Sequence, residues 1–148
     1  MPTGAAAALH VTVRCQWCES WNRVDAARFA DRPKCGTCSK PMLLDRPLKL
    51  DDATFARTIA ESELPVVVDF HADWCAPCKA MAPAVDEVAR ELSGRVLVTK
   101  LDTDRAPATG QQFRITSLPT VARFSGGVEV ERLSGAMPLA ALRAFALG

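Results

Sequence analysis

Apolar and polar positions follow a regular pattern from about residue 47 to the end of the chain. Dense β-branched runs over 65–70 and 96–101 predict two strands that are buried on both faces of a sheet. Between them, residues 76–92 carry apolar side chains at helical spacing, which predicts an amphipathic helix. Its apolar stripe comprises Met81, Val85, Val88 and Leu92. Pro83 lies inside this helix and predicts a kink.

The other segments of this region predict shorter elements. In chain order they are a strand over 48–50, a helix over 51–62, a helix over 106–113, strands over 120–124 and 128–133, and a last helix that begins at Pro138. Asp51 or Asp52 can cap the first of these helices. Ser125-Gly126-Gly127 predicts a hairpin between the last two strands. The order βαβαβαββα predicts an α/β fold with a mixed sheet flanked by helices.

The first 46 residues follow a different pattern. They contain scattered charges, few periodic apolar positions and two Cys-x-x-Cys pairs. Prolines stand near both ends of the segment 40–47, which is typical of a boundary. We therefore predict a small module over 1–46 and a larger domain over 47–148.

Length and charge exclude several classes of protein. A chain of 148 residues suits one ordinary domain with a small appendage. The formal net charge of +1 gives no general attraction to nucleic acid or to acidic membranes. No apolar run approaches the roughly 18 residues of a membrane span. The first ten residues lack the basic and long apolar regions of a secretory signal and keep Met1, so we expect a cytoplasmic protein. We also expect it to be a monomer.

The six cysteines form three pairs with one spacing, namely Cys15/Cys18, Cys35/Cys38 and Cys75/Cys78. A disulfide framework rarely uses a single spacing. In a protein without a secretory signal, metal binding or redox catalysis is the better interpretation.

Cys75 and Cys78 stand where the strand over 65–70 gives way to the helix over 76–92. A helix N-terminus carries roughly +0.5 charge and unpaired N–H groups, which favour a thiolate. Cys-x-x-Cys pairs at such sites have a thiol pKa lowered from about 8.5 to about 3.5–7.5. We expect an exposed Cys75 to attack a disulfide and Cys78 to resolve the intermediate. The alternatives are a metal site or ordinary thiols, but one pair supplies only two ligands.

Residues 66–83, VVVDFHADWCAPCKAMAP, resemble the active-site segment of thioredoxins. Further matches follow in order at Lys100-Leu101-Asp102, FRITSLPT over 113–120, Gly126-Gly127 and Leu133-Ser134-Gly135. The resemblance covers essentially 47–148. It implies the thioredoxin fold and the general reduction of protein disulfides, with re-reduction by an NADPH-dependent thioredoxin reductase.

The resemblance also implies residue roles. Cys75 matches the nucleophile and Cys78 the resolving thiol. Asp69 matches a buried acid behind the pair, and a carboxyl in an apolar strand should have a raised pKa that lets it exchange a proton with Cys78 near neutral pH. Lys100 matches a lysine that tunes this acid. The alternatives are a structural acid for Asp69 and a surface lysine for Lys100.

Leu118-Pro119 matches the family's cis-proline turn, which offers backbone hydrogen bonds to an extended substrate segment. The rest of the implied substrate surface comprises Trp74, Ala76, Pro77, Gly135 and Ala136. The alternative for Trp74 is a packing role.

Two positions depart from the family pattern. Ala76 replaces the usual glycine between the cysteines, which can shift the reduction potential, and about 30 mV is a tenfold change in equilibrium for a two-electron couple. His71 stands where the family usually has a tryptophan. It either adds pH dependence or only packs, and we favour packing.

The other four cysteines form two knuckles with 16 residues between Cys18 and Cys35. Four soft thiolates in this spacing predict one tetrahedral Zn²⁺ held by Cys15, Cys18, Cys35 and Cys38, with iron as a less favoured ion. Gly36 fits a tight knuckle turn. So small a module has little core, and the metal should supply much of its folding energy.

Residues 15–38, CQWCESWNRVDAARFADRPKCGTC, resemble the N-terminal zinc ribbon of the zinc-containing thioredoxins of bacteria, the thioredoxin-2 type. The resemblance implies a link between oxidation of the zinc thiols and oxidative stress.

The first 46 residues carry a formal charge of +3, and a four-thiolate zinc centre lowers it by two. The remaining charge of about +1 is too small for nucleic-acid binding. We expect Trp17 and Trp21 to form the ribbon core. The ribbon either docks on the larger domain or senses oxidants.

The leading function is therefore an enzyme, a thiol–disulfide oxidoreductase that acts on protein disulfides without an organic cofactor. A chaperone that binds substrates through the apolar rim around Trp74 is one alternative. A disulfide oxidase or isomerase is another, and the lack of a secretory signal disfavours it.

Overall fold

The computed structural model describes residues 8–148. The alanine-rich start, which the signal-peptide prediction concerns, lies largely outside the described residues. The elements are β1 (His10–Arg14), β2 (Trp21–Asp25), a 3-10 helix (Ala26–Asp31), β3 (Leu48–Leu50), α1 (Phe55–Ala60), β4 (Val66–His71), α2 (Ala76–Glu91), β5 (Leu97–Asp102), α3 (Pro107–Gln112), β6 (Thr120–Ser125), β7 (Val128–Ser134) and α4 (Leu139–Leu147). From β3 onward this order confirms the predicted βαβαβαββα.

The main sheet has five strands in the order β3-β5-β4-β6-β7. β3, β5 and β4 are parallel, whereas β6 and β7 run antiparallel to their neighbours. The predicted mixed sheet is therefore confirmed, with β4 at its centre and β3 and β7 at its two edges.

The helix boundaries differ slightly from the predicted ones. α1 begins at Phe55 because Asp51 first closes a turn, in which its Oδ1 accepts hydrogen bonds from the amides of Ala53 (3.0 Å) and Thr54 (2.9 Å). α2 runs through Pro83 as one helix, and the predicted kink stays a prediction. Its predicted apolar stripe is confirmed, since Met81, Val85, Val88 and Leu92 are all buried.

Helices cover both faces of the sheet. α2 and α4 pack on the face that carries Val67, Val98 and Val121. The opposite face holds an aromatic cluster in which neighbouring ring centroids lie 5.2–6.4 Å apart, formed by Phe55, Phe70, Phe113 and Phe124. Within residues 8–148, no helix has the length and the apolar character needed to cross a membrane.

The N-terminal module contains an antiparallel hairpin of β1 and β2 that the sequence pattern did not predict. Val11, Val13 and Val24 are buried and join the same hydrophobic cluster as Phe55 and Ile59 of α1. The module therefore has a larger apolar core than expected, because it shares the core of the main sheet. The boundary between residues 46 and 47 stays a prediction.

The prediction that both tryptophans form the ribbon core is wrong. Trp17 is 55% exposed, and Lys40 Nζ lies 4.8 Å from its ring centroid. Trp21 is half-buried and packs against the guanidinium of Arg57 in α1, with 4.5 Å between the guanidinium carbon and the ring centroid. Buried side chains such as Val11, Val13 and Phe29 form the apolar core of the ribbon instead.

Polar contacts also fix the hairpin on the main domain. The amide of Glu63 donates to the carbonyl of His10 (2.9 Å), and the amide of His10 donates to Glu63 Oε1 (2.7 Å). The ribbon thus docks on the larger domain, as one of the two sequence-based alternatives proposed.

Candidate active site and metal centre

Cys75 is the N-cap residue of α2, directly after the loop that follows β4. Its Sγ accepts a hydrogen bond from the amide of Cys78 at 3.2 Å, and the two residues form a disulfide with a Cα–Cα distance of 5.3 Å. Pro77 occupies the first turn, where its missing N–H leaves no donor unpaired. The partial positive charge of the helix N-terminus therefore falls on Cys75 Sγ and stabilises a thiolate when the disulfide is reduced.

The expectation of an exposed Cys75 is wrong for the disulfide form. Cys75 is 3% exposed and Cys78 is 4% exposed. Both pack with Ala72 and the half-buried Leu118, so the disulfide lies under a thin apolar cover. This burial depends on Leu118, which is distant in sequence and packs on the disulfide only in the folded chain. The position of Cys75 at a helix start could therefore not predict it.

The structure brings the loop before β6 to the cysteines. The Leu118–Pro119 peptide bond is cis, as the family resemblance implied, and Pro119 is buried. The amide of Gly135 donates to the carbonyl of Pro119 at 2.8 Å. Gly135 has φ +97°, a conformation that favours glycine. Gly135 and Ala136 are exposed beside this turn, and their contact with a substrate stays a prediction.

Trp74 is the largest exposed apolar side chain next to the disulfide, with 71% of its surface accessible. Its indole Nε1 donates to Asp104 Oδ2 at 2.9 Å, which orients the ring. Ala76 and Pro77 are exposed beside it. The sequence did not identify Asp104 as the partner of Trp74. The only signal for it was the presence of an acidic residue shortly after β5.

Asp69 lies in the middle of β4, is 5% exposed and faces α2 and α4. Burial raises the pKa of this carboxyl to about 6, although the charge of Lys100 opposes the shift. Oδ1 has no hydrogen-bond partner among the described residues. The carboxyl borders an apolar cavity of about 10 Å³, close to the smallest volume that admits a water molecule.

Lys100 lies beside Asp69 in the parallel pairing of β4 and β5. It is half-buried, and within residues 8–148 the two side chains form no ion pair shorter than 4 Å. Lys100 therefore acts on the carboxyl through its charge rather than through direct contact.

His71 ends β4 and is half-buried. Burial lowers its pKa, the charge of Lys100 lowers it further, and the carboxylates of Asp102 and Asp73 oppose both effects. The lowered pKa favours the neutral imidazole, which agrees with a packing role. The polar atoms of His71, Asp73 and Asp102 lie within 4.8 Å of one another, but Arg105 also pairs with both carboxylates.

The four remaining cysteines converge at one point of the ribbon. Their Sγ atoms lie within 4.8 Å of one another, with 3.7 Å between Cys15 and Cys38 and 3.6 Å between Cys18 and Cys35. A tetrahedral Zn²⁺ with Zn–S bonds of about 2.3 Å requires S···S distances of about 3.8 Å. The residues present therefore fit a tetrahedral four-thiolate metal site.

Backbone amides surround these sulfurs. The amides of Trp17 and Thr37 each donate to the first sulfur of their knuckle at 3.4 Å. Asn22 Nδ2 donates to Cys35 Sγ at 3.4 Å. Hydrogen bonds from the amides of Cys38 and Thr37, and then from Asn22, lower the pKa of Cys35 to about 6. Such donors stabilise the thiolate form that binds a metal.

Gly36 lies in the tight turn after Cys35, as predicted, but this turn does not need the left-handed conformation of glycine. Gly36 has no positive φ, and its amide donates to Asn22 Oδ1 at 2.9 Å. The left-handed residues are Glu19 (φ +66°) and Ser39 (φ +65°), each directly after the second cysteine of its knuckle. Their amides donate to the carbonyls of Cys15 and Cys35, and these bonds close the two turns.

Comparison with known families assigns both parts of the chain. Residues 46–147 match the thioredoxin family, and residues 14–40 match the family described as "Thioredoxin 2, N-terminal", a zinc ribbon. Both matches agree with the elements described above.

Individual relatives agree with this assignment. Thioredoxin C-3 of Corynebacterium nephridii is 37% identical over 123 residues, which cover 83% of this chain and 84% of that protein. The thioredoxin of Synechocystis is 47% identical over 90 residues, which cover 61% of this chain and 84% of that protein. The structure of a mutant thioredoxin from Halobacterium salinarum superposes with a TM-score of 0.64 at 28% identity, covering 70% of this chain and 89% of that one. The chain thus belongs to the thioredoxin family of thiol–disulfide oxidoreductases and carries in addition the N-terminal zinc ribbon domain of thioredoxin 2.

Proposed function

We propose that this chain reduces disulfides in other proteins through Cys75 and Cys78 and is itself re-reduced by an NADPH-dependent thioredoxin reductase. The observation that carries the proposal is the redox-active pair at the N-terminus of α2, placed between the exposed Trp74 and the cis-proline turn. Thioredoxins in general act on protein disulfides and are reduced by a reductase.

In the proposed reaction, the Cys75 thiolate attacks one sulfur of a substrate disulfide and releases the other as a thiolate. The mixed disulfide then breaks when Cys78 attacks Cys75 Sγ, which releases the second substrate sulfur. Two electrons pass to the substrate and the Cys75–Cys78 disulfide forms. Asp69 accepts the proton of Cys78 before this second attack, because its pKa of about 6 lies close to neutral pH.

The substrate segment is proposed to lie across Trp74 and the exposed residues beside it. Leu118 contributes backbone groups that pair with an extended chain, Pro119 fixes the turn that presents them, and Gly135 and Ala136 leave room for the chain. Ala76 and Pro77 complete the apolar contact. The ring of Trp74 is held by Asp104, so it presents a rigid platform.

The ion of the ribbon is proposed to be Zn²⁺, because four thiolates in a closed tetrahedral arrangement suit zinc. Bound zinc would stabilise the fold of the ribbon through Cys15, Cys18, Cys35 and Cys38. Oxidation of these thiolates would release the metal and connect the protein to oxidative stress. A reducing compartment such as the cytoplasm suits four unpaired thiols and a dithiol enzyme.

Insulin reduction tests the proposed function. The native chain should reduce insulin with NADPH and a bacterial thioredoxin reductase, and Cys75→Ser should abolish turnover. Cys78→Ser should instead accumulate a mixed disulfide with the substrate, because the resolving thiol is missing.

A surface variant provides the matched control for these experiments. Lys34→Glu changes an exposed charge away from the disulfide and should leave turnover unchanged. No insulin reduction by the native chain would contradict the proposal. Suppression of aggregation that persists in Cys75→Ser, without reductase activity in the native chain, would favour a chaperone instead. Metal analysis that finds iron rather than one zinc ion per chain would contradict the assignment of the ion.

A further inference from the structure

A groove of about 540 Å³ separates the first knuckle of the ribbon from the edge of the main sheet. Residues between 14 and 19 form one side and residues 46–51 form the other, with Thr54 and Thr58 also contributing. We call this cavity the ribbon groove. Neither Cys75 nor Cys78 lines the ribbon groove. The groove forms where the ribbon docks beside β3.

The ribbon groove follows the open edge of β3. Its lining includes the buried Leu48 and Leu50 and also the exposed Lys49 between them. Successive side chains of a strand point to opposite faces, so a cavity that touches all three must run along the edge of the strand. β3 pairs with β5 on one side, and no strand within residues 8–148 pairs with its other side. An unpaired strand edge offers backbone donors and acceptors to an added strand.

A buried polar atom in the groove also lacks a partner. Thr58 is 0% exposed and lines the groove, and within the described part of the chain its Oγ1 forms no hydrogen bond. A buried hydroxyl without a partner costs free energy that a bound ligand with a donor or acceptor can recover.

The charges around the groove and the exposed ring of Trp17 indicate the kind of ligand. Arg14 and Asp51 form an ion pair with each other at 3.4 Å, whereas Lys49 forms no ion pair with any described residue. Arg46, which also lines the groove, pairs with Asp45 at 3.0 Å. Lys40, outside the lining, adds a positive charge over the exposed ring of Trp17, and Glu19 and Asp51 are the carboxylates of the lining. The balance favours a ligand with isolated negative charges. Glu19 and Asp51 disfavour a continuous polyanion such as nucleic acid.

We propose that the ribbon groove binds an extended segment of a partner protein that alternates β-branched and acidic residues. The segment adds as a strand to the open edge of β3, which supplies backbone hydrogen bonds. One apolar side chain packs on Trp17, and an acidic side chain pairs with Lys49. This binding involves no disulfide exchange, so it is independent of the proposed reductase reaction.

The test uses the full-length, metal-loaded, oxidised protein and two labelled peptides without cysteine, Val-Glu-Val-Glu-Val and Val-Lys-Val-Lys-Val. Fluorescence anisotropy should show tighter binding of the acidic peptide. Lys49→Glu should weaken its binding by about fivefold or more, because an attractive pair becomes repulsive. Trp17→Ala should weaken it by about tenfold or more, as expected for an aromatic anchor. Lys34→Glu is the matched control and should bind as the native chain does.

Thr58→Val nearly keeps the volume of the side chain and replaces the hydroxyl with a methyl group. It should weaken peptide binding while leaving insulin reduction unchanged. Cys75→Ser should bind the peptide normally, which separates the failure of this proposal from the failure of the proposed function. In NMR spectra, the Trp17 indole N–H signal, assigned by its loss in Trp17→Phe, should shift on binding while that of Trp74 stays in place.

Several outcomes would overturn the proposal. Equal affinity for the two peptides, or equal affinity in Lys49→Glu and Lys34→Glu, would remove the groove from the interaction. A shift of the Trp74 signal alone would place the peptide on the redox surface. The exposed valines of β7, Val128 and Val130, alternate with glutamates and make a second copy of the chain the competing occupant. Self-association of the native chain that Lys49→Glu abolishes would therefore assign the groove to that copy.

Discussion

At the scale of single residues, Asp69 carries the largest electrostatic consequence. Within residues 8–148 it is the only charged side chain that is buried. Its folded pKa of about 6 lies above the ordinary value of 3.8 because burial disfavours the carboxylate. The folded state therefore holds the proton more tightly than the unfolded state. Ionisation of Asp69 costs stability, and this cost is absent at low pH and complete above about pH 6.

Asp69→Asn should therefore stabilise the protein at pH 8 and change little at pH 3.5. The expected gain is on the order of 3 kcal/mol at pH 8, since each pKa unit corresponds to about 1.4 kcal/mol. Urea unfolding at the two pH values measures it. A stability gain of the same size at pH 3.5 would show that the gain does not come from the ionised carboxyl. The same variant should slow insulin reduction, because Cys78 loses its proton acceptor.

At the scale of elements, the turn between α2 and β5 determines how closely the ribbon can approach. Gly94 in this turn has φ +87°, and a Cβ at this position would lie 2.8 Å from the carbonyl oxygen of Ala26. Ala26 begins the 3-10 helix of the ribbon. Glycine therefore serves two purposes at this position, because it permits the left-handed conformation and leaves room for the backbone of the ribbon.

Gly94→Ala should destabilise the protein more than Gly126→Ala. Gly126 also has a positive φ, +60°, but its Cβ would meet nothing within 4 Å. The Gly126 variant should lose only about 1–2 kcal/mol of unfolding free energy, because a residue with a Cβ is strained in the left-handed conformation. The Gly94 variant should lose the same amount and, in addition, about 1 kcal/mol or more, because its Cβ would displace the backbone of Ala26. Chemical unfolding of the two variants gives the comparison, and equal losses would argue against a close contact between the ribbon and this turn.

At the scale of the whole molecule, the ribbon and the thioredoxin domain form one structural unit. Val11, Val13 and Val24 of the ribbon belong to the same cluster as Phe55 and Ile59 of α1. Arg57 of α1 stacks on Trp21, and Glu63 bonds the backbone of His10. Contacts of this kind make the unfolding of one part expose the core of the other, so the two parts should unfold together.

Removal of the metal should therefore lower the unfolding temperature of the entire chain. We expect a single calorimetric transition before and after treatment with a chelator, shifted downward by about 10 °C or more. Metal analysis should show the loss of the ion over the same treatment. The double variant Cys75→Ser, Cys78→Ser retains the four ribbon thiols. It should therefore keep its metal, and its unfolding temperature should still fall when the metal is removed. A separate low-temperature transition, with the main transition unchanged, would show instead that the ribbon folds independently.

Local spacing and periodicity allowed the sequence to determine much of this protein. The order of elements from β3 onward followed from apolar periodicity, because a strand or a helix buries a face that repeats along the chain. The three cysteine pairs followed from the short Cys-x-x-Cys spacing, and the grouping of the four ribbon cysteines followed from the 16 residues between their two pairs. The position of Asp69 on a buried strand followed from its apolar neighbours.

Contacts between residues distant in sequence decided the rest. The docking of β1 on α1, the exposure of Trp17, the bond from Trp74 to Asp104 and the burial of Cys75 each depend on segments that meet only in the folded chain. The same holds for the ribbon groove, whose two sides come from residues about 30 positions apart. A sequence pattern reports which face of an element is apolar, whereas the tertiary structure alone decides which partner covers that face and which part of it stays open.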